Sequence, residues 1–186
     1  VDVSHHQVHL DVELAPASVS ATGTLTLSVQ QRAEAIWLDA QALEIQSVAD
    51  LQNALTFESQ PNRLCVRLQK PLEPGELLNL QLRWRVPVNS RGLHVYPDQI
   101  WAAYNTPAWM PTRQDPAQRA TLALTVKAPA EFQVQASGRA PFIRHAMSTD
   151  VRAFQLDRPS PPFLYAFVVG KFEVAQVDLP GVDKKD

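Results

Sequence analysis

Five histidines and one cysteine are the side chains of this 186-residue chain best suited to metal or nucleophile chemistry. His5, His6 and His9 stand closest together, and a His pair at i and i+4 shares a zinc ion when both lie on one face of a helix. Their neighbours deny that geometry. Gln7, His9, Asp11 and Glu13 alternate with Val8, Leu10, Val12 and Leu14, which is the period of a half-buried strand. Four residues of strand span about 13 Å, whereas zinc holds each nitrogen at roughly 2 Å. His94 and His145 stand alone and read as hydrogen-bonded structural residues. Cys65, between Leu64 and Val66, reads as a buried strand residue rather than a reactive thiol, and a lone cysteine forms no intramolecular disulfide. No His-Glu-x-x-His, phosphate-binding loop, nucleophile elbow or paired-cysteine motif occurs. Read alone, the residues define no catalytic constellation, no metal site and no cofactor site in this chain.

The elements that would position any such group are strands. Leu25, Leu27 and Val29 alternate with Thr24, Thr26 and Ser28, and the pattern returns in Leu78-Leu80-Leu82-Trp84-Val86 and Leu122-Leu124-Val126. Shorter candidates are Ala35 to Leu38, Leu43 to Val48, Arg63 to Leu68, Phe132 to Ala136 and Val151 to Leu156, with Phe163 to Val169 apolar on both faces. Only Ala49 to Ala54 offers a helical turn. The fold class expected is all-β with little helix: a sandwich, or an open, curved, barrel-like pair of mostly antiparallel sheets. Residues 1–178 read as a single β domain, and 179–186, with Pro180-Gly181 and a charged end, as an exit segment. Seventeen basic against nineteen acidic residues leave a net charge of -2, which argues against nucleic acid and polybasic membrane partners. No apolar run approaches the roughly 20 residues of a spanning helix. The chain opens on Val1 rather than Met, and a fragment or processed form is the expectation.

The ordered pieces carry more than any one of them. His5-His6-Gln7-Val8-His9-Leu10-Asp11-Val12 is followed by Gly23-Thr24-Leu25-Thr26-Leu27, by Ile36-Trp37-Leu38-Asp39-Ala40, and by Leu43-Glu44-Ile45-Gln46-Ser47-Val48. Leu72-Glu73-Pro74-Gly75-Glu76 and Gly92-Leu93 come next, then the proline-rich stretch Trp109-Met110-Pro111-Thr112-Arg113-Gln114-Asp115-Pro116-Ala117-Gln118-Arg119-Ala120-Thr121, and finally Pro161-Pro162-Phe163-Leu164-Tyr165-Ala166-Phe167-Val168-Val169-Gly170-Lys171-Phe172-Glu173. In this order they resemble the N-terminal β domain of the zinc aminopeptidases of the aminopeptidase N and leukotriene-A hydrolase type, over nearly the whole chain. The proline-rich stretch is the most specific, being similar to the family's Phe-Pro-Cys-Phe-Asp-Glu-Pro-Ala-x-Lys-Ala-Thr segment.

The resemblance implies a non-catalytic domain that supports a following catalytic domain of the same polypeptide and lines its active-site rim. That next domain would carry the His-Glu-x-x-His helix, a third Glu ligand, the zinc and the Gly-x-Met-Glu-Asn signature, and would remove N-terminal residues from peptide substrates. The rim candidates are Gln99, Trp101, Ala102, Tyr104 and Asn105. A gapless count from Pro111 places Ala102 where the family has a Gln or Glu that holds the substrate's α-amino group, and a one-residue slip brings Gln99 or Asn105 there. Trp101, Tyr104 and Trp109 either line a cleft, dock on the next domain, or cap the core. Pro111 and Pro116 stiffen the turn that follows, across which Asp115 and Arg119 would pair, on the surface or as a partly buried clamp. The alternative function is a catalytically inactive binding or scaffold module for protein contacts.

Overall fold

A computed structural model describes residues 1–88, 90–173 and 175; the expected exit segment 179–186 lies outside them. The strands are β1 (Asp2–Leu14), β2 (Ala17–Ser28), β3 (Ala33–Asp39), β4 (Glu44–Ala49), β5 (Phe57–Gln60), β6 (Arg63–Leu72) and β7 (Leu77–Val86). They continue as β8 (His94–Tyr96), β9 (Gln99–Ala102), β10 (Ala120–Pro129), β11 (Gln133–Ala136), β12 (Arg139–His145), β13 (Thr149–Ser160) and β14 (Phe167–Gly170). The only helical segments among the described residues are two 3-10 turns, Thr106–Ala108 and Pro162–Leu164. The chain is all-β, as its alternation predicts.

Three sheets form rather than a pair. The largest has seven strands in the order β12-β13-β10-β1-β2-β7-β4, all antiparallel except the central β1–β10 pair. A four-stranded sheet runs β11-β14-β9-β8, and a three-stranded one β3-β6-β5. Neither small sheet hydrogen-bonds into the large one as a strand. One apolar cluster joins them: Leu10, Leu25, Leu80 and Leu124 of the large sheet pack with Ile36, Leu38 and Leu64 of the three-stranded sheet and with Ile100, Val134 and Phe167 of the four-stranded sheet. Burial of that shared apolar surface is what holds the layers together.

Local expectations fare unevenly. Gly75 takes φ +90 in the tight turn before β7, a left-handed conformation that glycine adopts without steric cost. Ala49 to Ala54 forms no helix; Asp50 Oδ1 accepts the N–H groups of Gln52 and Asn53, and an Ala49–Ala54 bridge closes a turn. Asp side chains that bond nearby backbone donors compete with helix in this way. The run from Phe163 to Val169 begins in a 3-10 turn and becomes strand only at Phe167.

Candidate functional site

The proline-rich stretch and the loop before it thread between the three sheets. β9 sets the pattern: Ile100 and Ala102 face the core opposite Val169 and Phe167, while Gln99 and Trp101 take the outward, half-buried positions. Ala102 is therefore 1% exposed, its methyl group in the core. Trp101 stacks on His94 with ring centroids 3.9 Å apart and planes 14° from parallel.

Beyond β9 the chain reverses through Tyr104, which has φ 61 and is 77% exposed, the left-handed conformation that L side chains rarely adopt. Asn105 N–H closes the reversal on Ala103 C=O at 2.8 Å. The Asn105 amide is committed to the loop itself, donating to Gln41 Oε1 at 2.8 Å and to Arg91 C=O at 3.0 Å. Gly92, at φ +109, makes room for it. A Cβ there would stand 2.8 Å from Ala108 Cβ and 2.9 Å from Asn105 Nδ2. Gly92→Ala should therefore destabilise the chain by about 2 kcal/mol or more, from backbone strain plus overpacking; a urea midpoint equal to that of the parent chain would refute the packing described.

From Thr106 to Thr112 every residue is buried. Thr106 Oγ1 donates to Pro162 C=O at 2.6 Å, and Gln41 N–H donates to Pro107 C=O at 2.7 Å. Trp109 C=O accepts the Trp84 indole N–H at 2.9 Å, and the Trp109 ring meets Phe167 edge-on at 5.2 Å. Thr112 and Asp39 exchange both backbone bonds, at 2.7 and 3.0 Å, and Thr112 Oγ1 lies 3.1 Å from His6 Nε2. A stretch that reads as an exposed, aromatic-bearing loop is thus a strut hydrogen-bonded to the seven- and three-stranded sheets and packed on Phe167 of the four-stranded one. Pro111 belongs to its buried part and Pro116 to its exposed end.

The expected Asp115–Arg119 pair does not form. Asp115 Oδ1 instead accepts Ala117 N–H at 2.8 Å, and Arg119 Nη1 donates to the carbonyls of Pro116 and Gln118 at 2.6 and 3.0 Å. In so short a turn the backbone groups are the nearer partners, and each side chain satisfies one locally.

The histidines disperse. His5 Nδ1 lies 2.6 Å from Thr121 Oγ1, His6 is fully buried, His9 is exposed on the outer face, and His145 bonds Asp150 Oδ2 at 2.9 Å. Burial, reinforced by the neighbouring His5 and partly offset by the Thr121 backbone, pushes the His6 imidazole down to about 3. Burial likewise pushes the Tyr165 phenol up, and its hydroxyl donates to Ala120 C=O at 2.7 Å. No group of three or more metal-ligating side chains converges among the described residues. No helix among them is long and apolar enough to cross a membrane. The groups at the surface near β9 are the exposed Tyr104 at its positive-φ reversal and the Trp101–His94 stack.

Comparison with known proteins places this fold. No family model matches the sequence, and no curated protein matches it. Among solved structures, a two-domain M1 zinc metallopeptidase mutant bound to L-tryptophan superposes with a TM-score of 0.82 at 22% identity, over 91% of this chain and 42% of that one. An M1 zinc metallopeptidase mutant from Deinococcus radiodurans bound to a Tyr-Ser-Ala substrate gives 0.81 at 22%, with the same coverage. Native leukotriene A4 hydrolase from Saccharomyces cerevisiae gives 0.76 at 16%, over 94% of this chain and 30% of that one. The chain shares their fold and spans well under half the length of each.

Proposed function

We infer that this chain is the N-terminal β domain of a zinc-dependent, aminopeptidase-like metallopeptidase, supporting a following catalytic domain and lining its active-site rim. The shared fold, reaching across 91% of this chain but only 42% of a two-domain zinc metallopeptidase, is the observation that carries the reading. The ordered motifs from His5 to Glu173 support it independently of the superposition. The zinc expected of the parent would belong to the catalytic domain, where it would supply Lewis acid chemistry and an activated water. This chain's contribution is binding surface. Tyr104 is the side chain we assign to it, being exposed just beyond β9 on a reversal followed by Asn105, whose amide is bonded to Gln41 and Arg91.

Tyr104→Ala in the full-length protein should lower kcat/KM for peptide substrates about ten-fold and leave the thermal midpoint of the chain nearly unchanged. Alanine keeps the cost of the positive φ, and no core contact is lost, so stability has little reason to move. A large fall in midpoint with unaltered kinetics would show Tyr104 to be structural and sink the rim assignment.

One observation favours a second reading, a binding or scaffold module without catalysis. Ala102, which the gapless count from Pro111 sets at the family's amine-holding position, offers no polar atom and is buried. Full-length protein that cleaves no aminoacyl substrate in the presence of zinc would decide for that module.

A further inference from the structure

The strut leaves a cleft on the side of the three-stranded sheet. Trp37, Asp39, Arg63, Arg113, Gln114 and Pro116 line it, and it continues past Asn62 toward Phe163. Its origin is a ladder that stops after one rung. Thr112 pairs antiparallel with Asp39, so the chain beyond it would run back along β3 and place Gln114 opposite Trp37. Instead Gln114 N–H is diverted to Asp39 Oδ2 at 2.8 Å, and Pro116, having no N–H, cannot resume the pairing. The chain peels away and the cleft opens between it and the edge of β3.

Among the described residues that edge is unpaired beyond Asp39. A strand residue directs its N–H and C=O to the same side, and alternate residues share that side. Asp39 spends both groups on Thr112, so Trp37 and Ala35 present theirs to the same free edge, while Ile36 and Leu38 face β6. The β6 strand agrees: Arg67, opposite Ala35, sends its N–H away from β3 to Thr56 C=O. Neither Trp37 nor Ala35 makes a backbone bond outside the β3–β6 ladder among the described residues.

The charges in the cleft are unequally engaged. Asp39 and Asp115 each accept a backbone N–H at 2.8 Å. Arg63 and Arg113 form no ion pair among the described residues, and Arg113 Nε is buried without any hydrogen-bond partner. Two guanidinium groups in the cleft lining with no ion pair among the described residues fit a carboxylate, and the neighbouring strand edge fits a peptide backbone.

We propose that this cleft docks an extended acidic peptide segment, which adds as a strand to the open edge of β3 and sets a carboxylate against Arg113 and Arg63. The half-exposed indole of Trp37 forms its apolar wall, and the Asp39–Thr112 rung is the stop that ends the added strand beside the guanidinium groups. Nothing in this assignment depends on the peptidase reading; it rests on the geometry of β3 and the strut alone.

The test uses the full chain and a synthetic five-residue peptide, Thr-Val-Thr-Val-Glu, with blocked ends. Its Gln counterpart and versions N-methylated at alternate residues serve as controls, and sodium phosphate as a simple anion. Amide and Arg side-chain NMR shifts report where each probe binds. The Glu peptide should shift Trp37 N–H and Arg113 Nε–H and bind about ten-fold more tightly than the Gln peptide, a margin of one good charge-assisted contact. N-methylation on the residues facing β3 should abolish binding, and methylation on the alternate residues should not. Arg63→Gln, an exposed change that preserves the fold, should erase the advantage of Glu over Gln, and Arg113→Gln should do the same. Equal binding of the Glu and Gln peptides, indifference to N-methylation, or a response to phosphate with none to peptide would each overturn the proposal.

Discussion

Trp109→Ala is expected to lower the stability of the chain by about 3–5 kcal/mol, the cost of emptying a large aromatic site in a packed core. The indole is 0% exposed, and the Trp84 ring beside it is 1% exposed. Gly23 of β2 is part of the same packing: a Cβ there would come within 3.1 Å of the Trp84 ring and 2.9 Å of Gln7 C=O. The two tryptophans are not equivalent, however. Trp84 donates its N–H to Trp109 C=O at 2.9 Å, whereas Trp109 Nε1 is buried without a partner. Substitution by phenylalanine separates packing from hydrogen bonding. Trp109→Phe shrinks the ring but also removes an orphaned donor, two effects of opposite sign. Trp84→Phe shrinks the ring, loses a bond and strands a buried carbonyl. Trp84→Phe should therefore be the more damaging by about 1 kcal/mol or more. Urea denaturation with an unchanged slope measures both. Equal losses, or the reverse order, would mean that the indole bond between β7 and the strut contributes nothing.

That bond also marks where sequence reading stops. The long strands β1, β2, β7 and β10 are legible because each buries one face, and burial imposes the alternation of Val8, Leu10 and Val12 or of Leu122, Leu124 and Val126. β12 is illegible for the converse reason: all seven of its residues are exposed, so no face selects its side chains. The strut escapes for a third reason. Prolines, two arginines and an acid around Trp109 give it the composition of a surface loop, yet its burial is decided by partners far along the chain, Asp39, Gln41, Trp84 and Pro162. Bonds made over such separations leave no periodicity in the strut itself. Proline is compatible with this burial because Pro107 and Pro111 bring no N–H groups to be satisfied. Of the rim candidates, Ala102 was assignable to the core from parity with Ile100. The exposure of Tyr104 follows from a reversal whose positive φ no residue type there announces.

Parity also carries the last expectation. Extending the buried series Val8, Leu10, Val12 and Leu14 back by one step reaches His6, which belongs inside on pattern alone and is fully buried. Its Nε2 meets Thr112 Oγ1 and its Nδ1 has no hydrogen-bond partner, so protonation would bury a charge and a second N–H donor at a cost that the Thr121 backbone only partly offsets. With the folded imidazole pushed down to about 3 against an ordinary 6.5, the unfolded chain binds one more proton than the folded chain throughout that interval. Stability held above pH 6.5 must then fall as the pH drops, by about 1.4 kcal/mol per pH unit for this one group. From pH 6.5 to pH 4 the loss is about 3 kcal/mol, a large part of the stability of an ordinary domain. His6→Asn keeps a polar partner for Thr112 and removes the titration. Its stability should be lower than that of the parent chain near neutrality, and the two curves should converge as the pH falls toward 4. Parallel curves over that range would show that His6 does not govern the acid limb, and that its burial between β1 and the strut is looser than the packing described here.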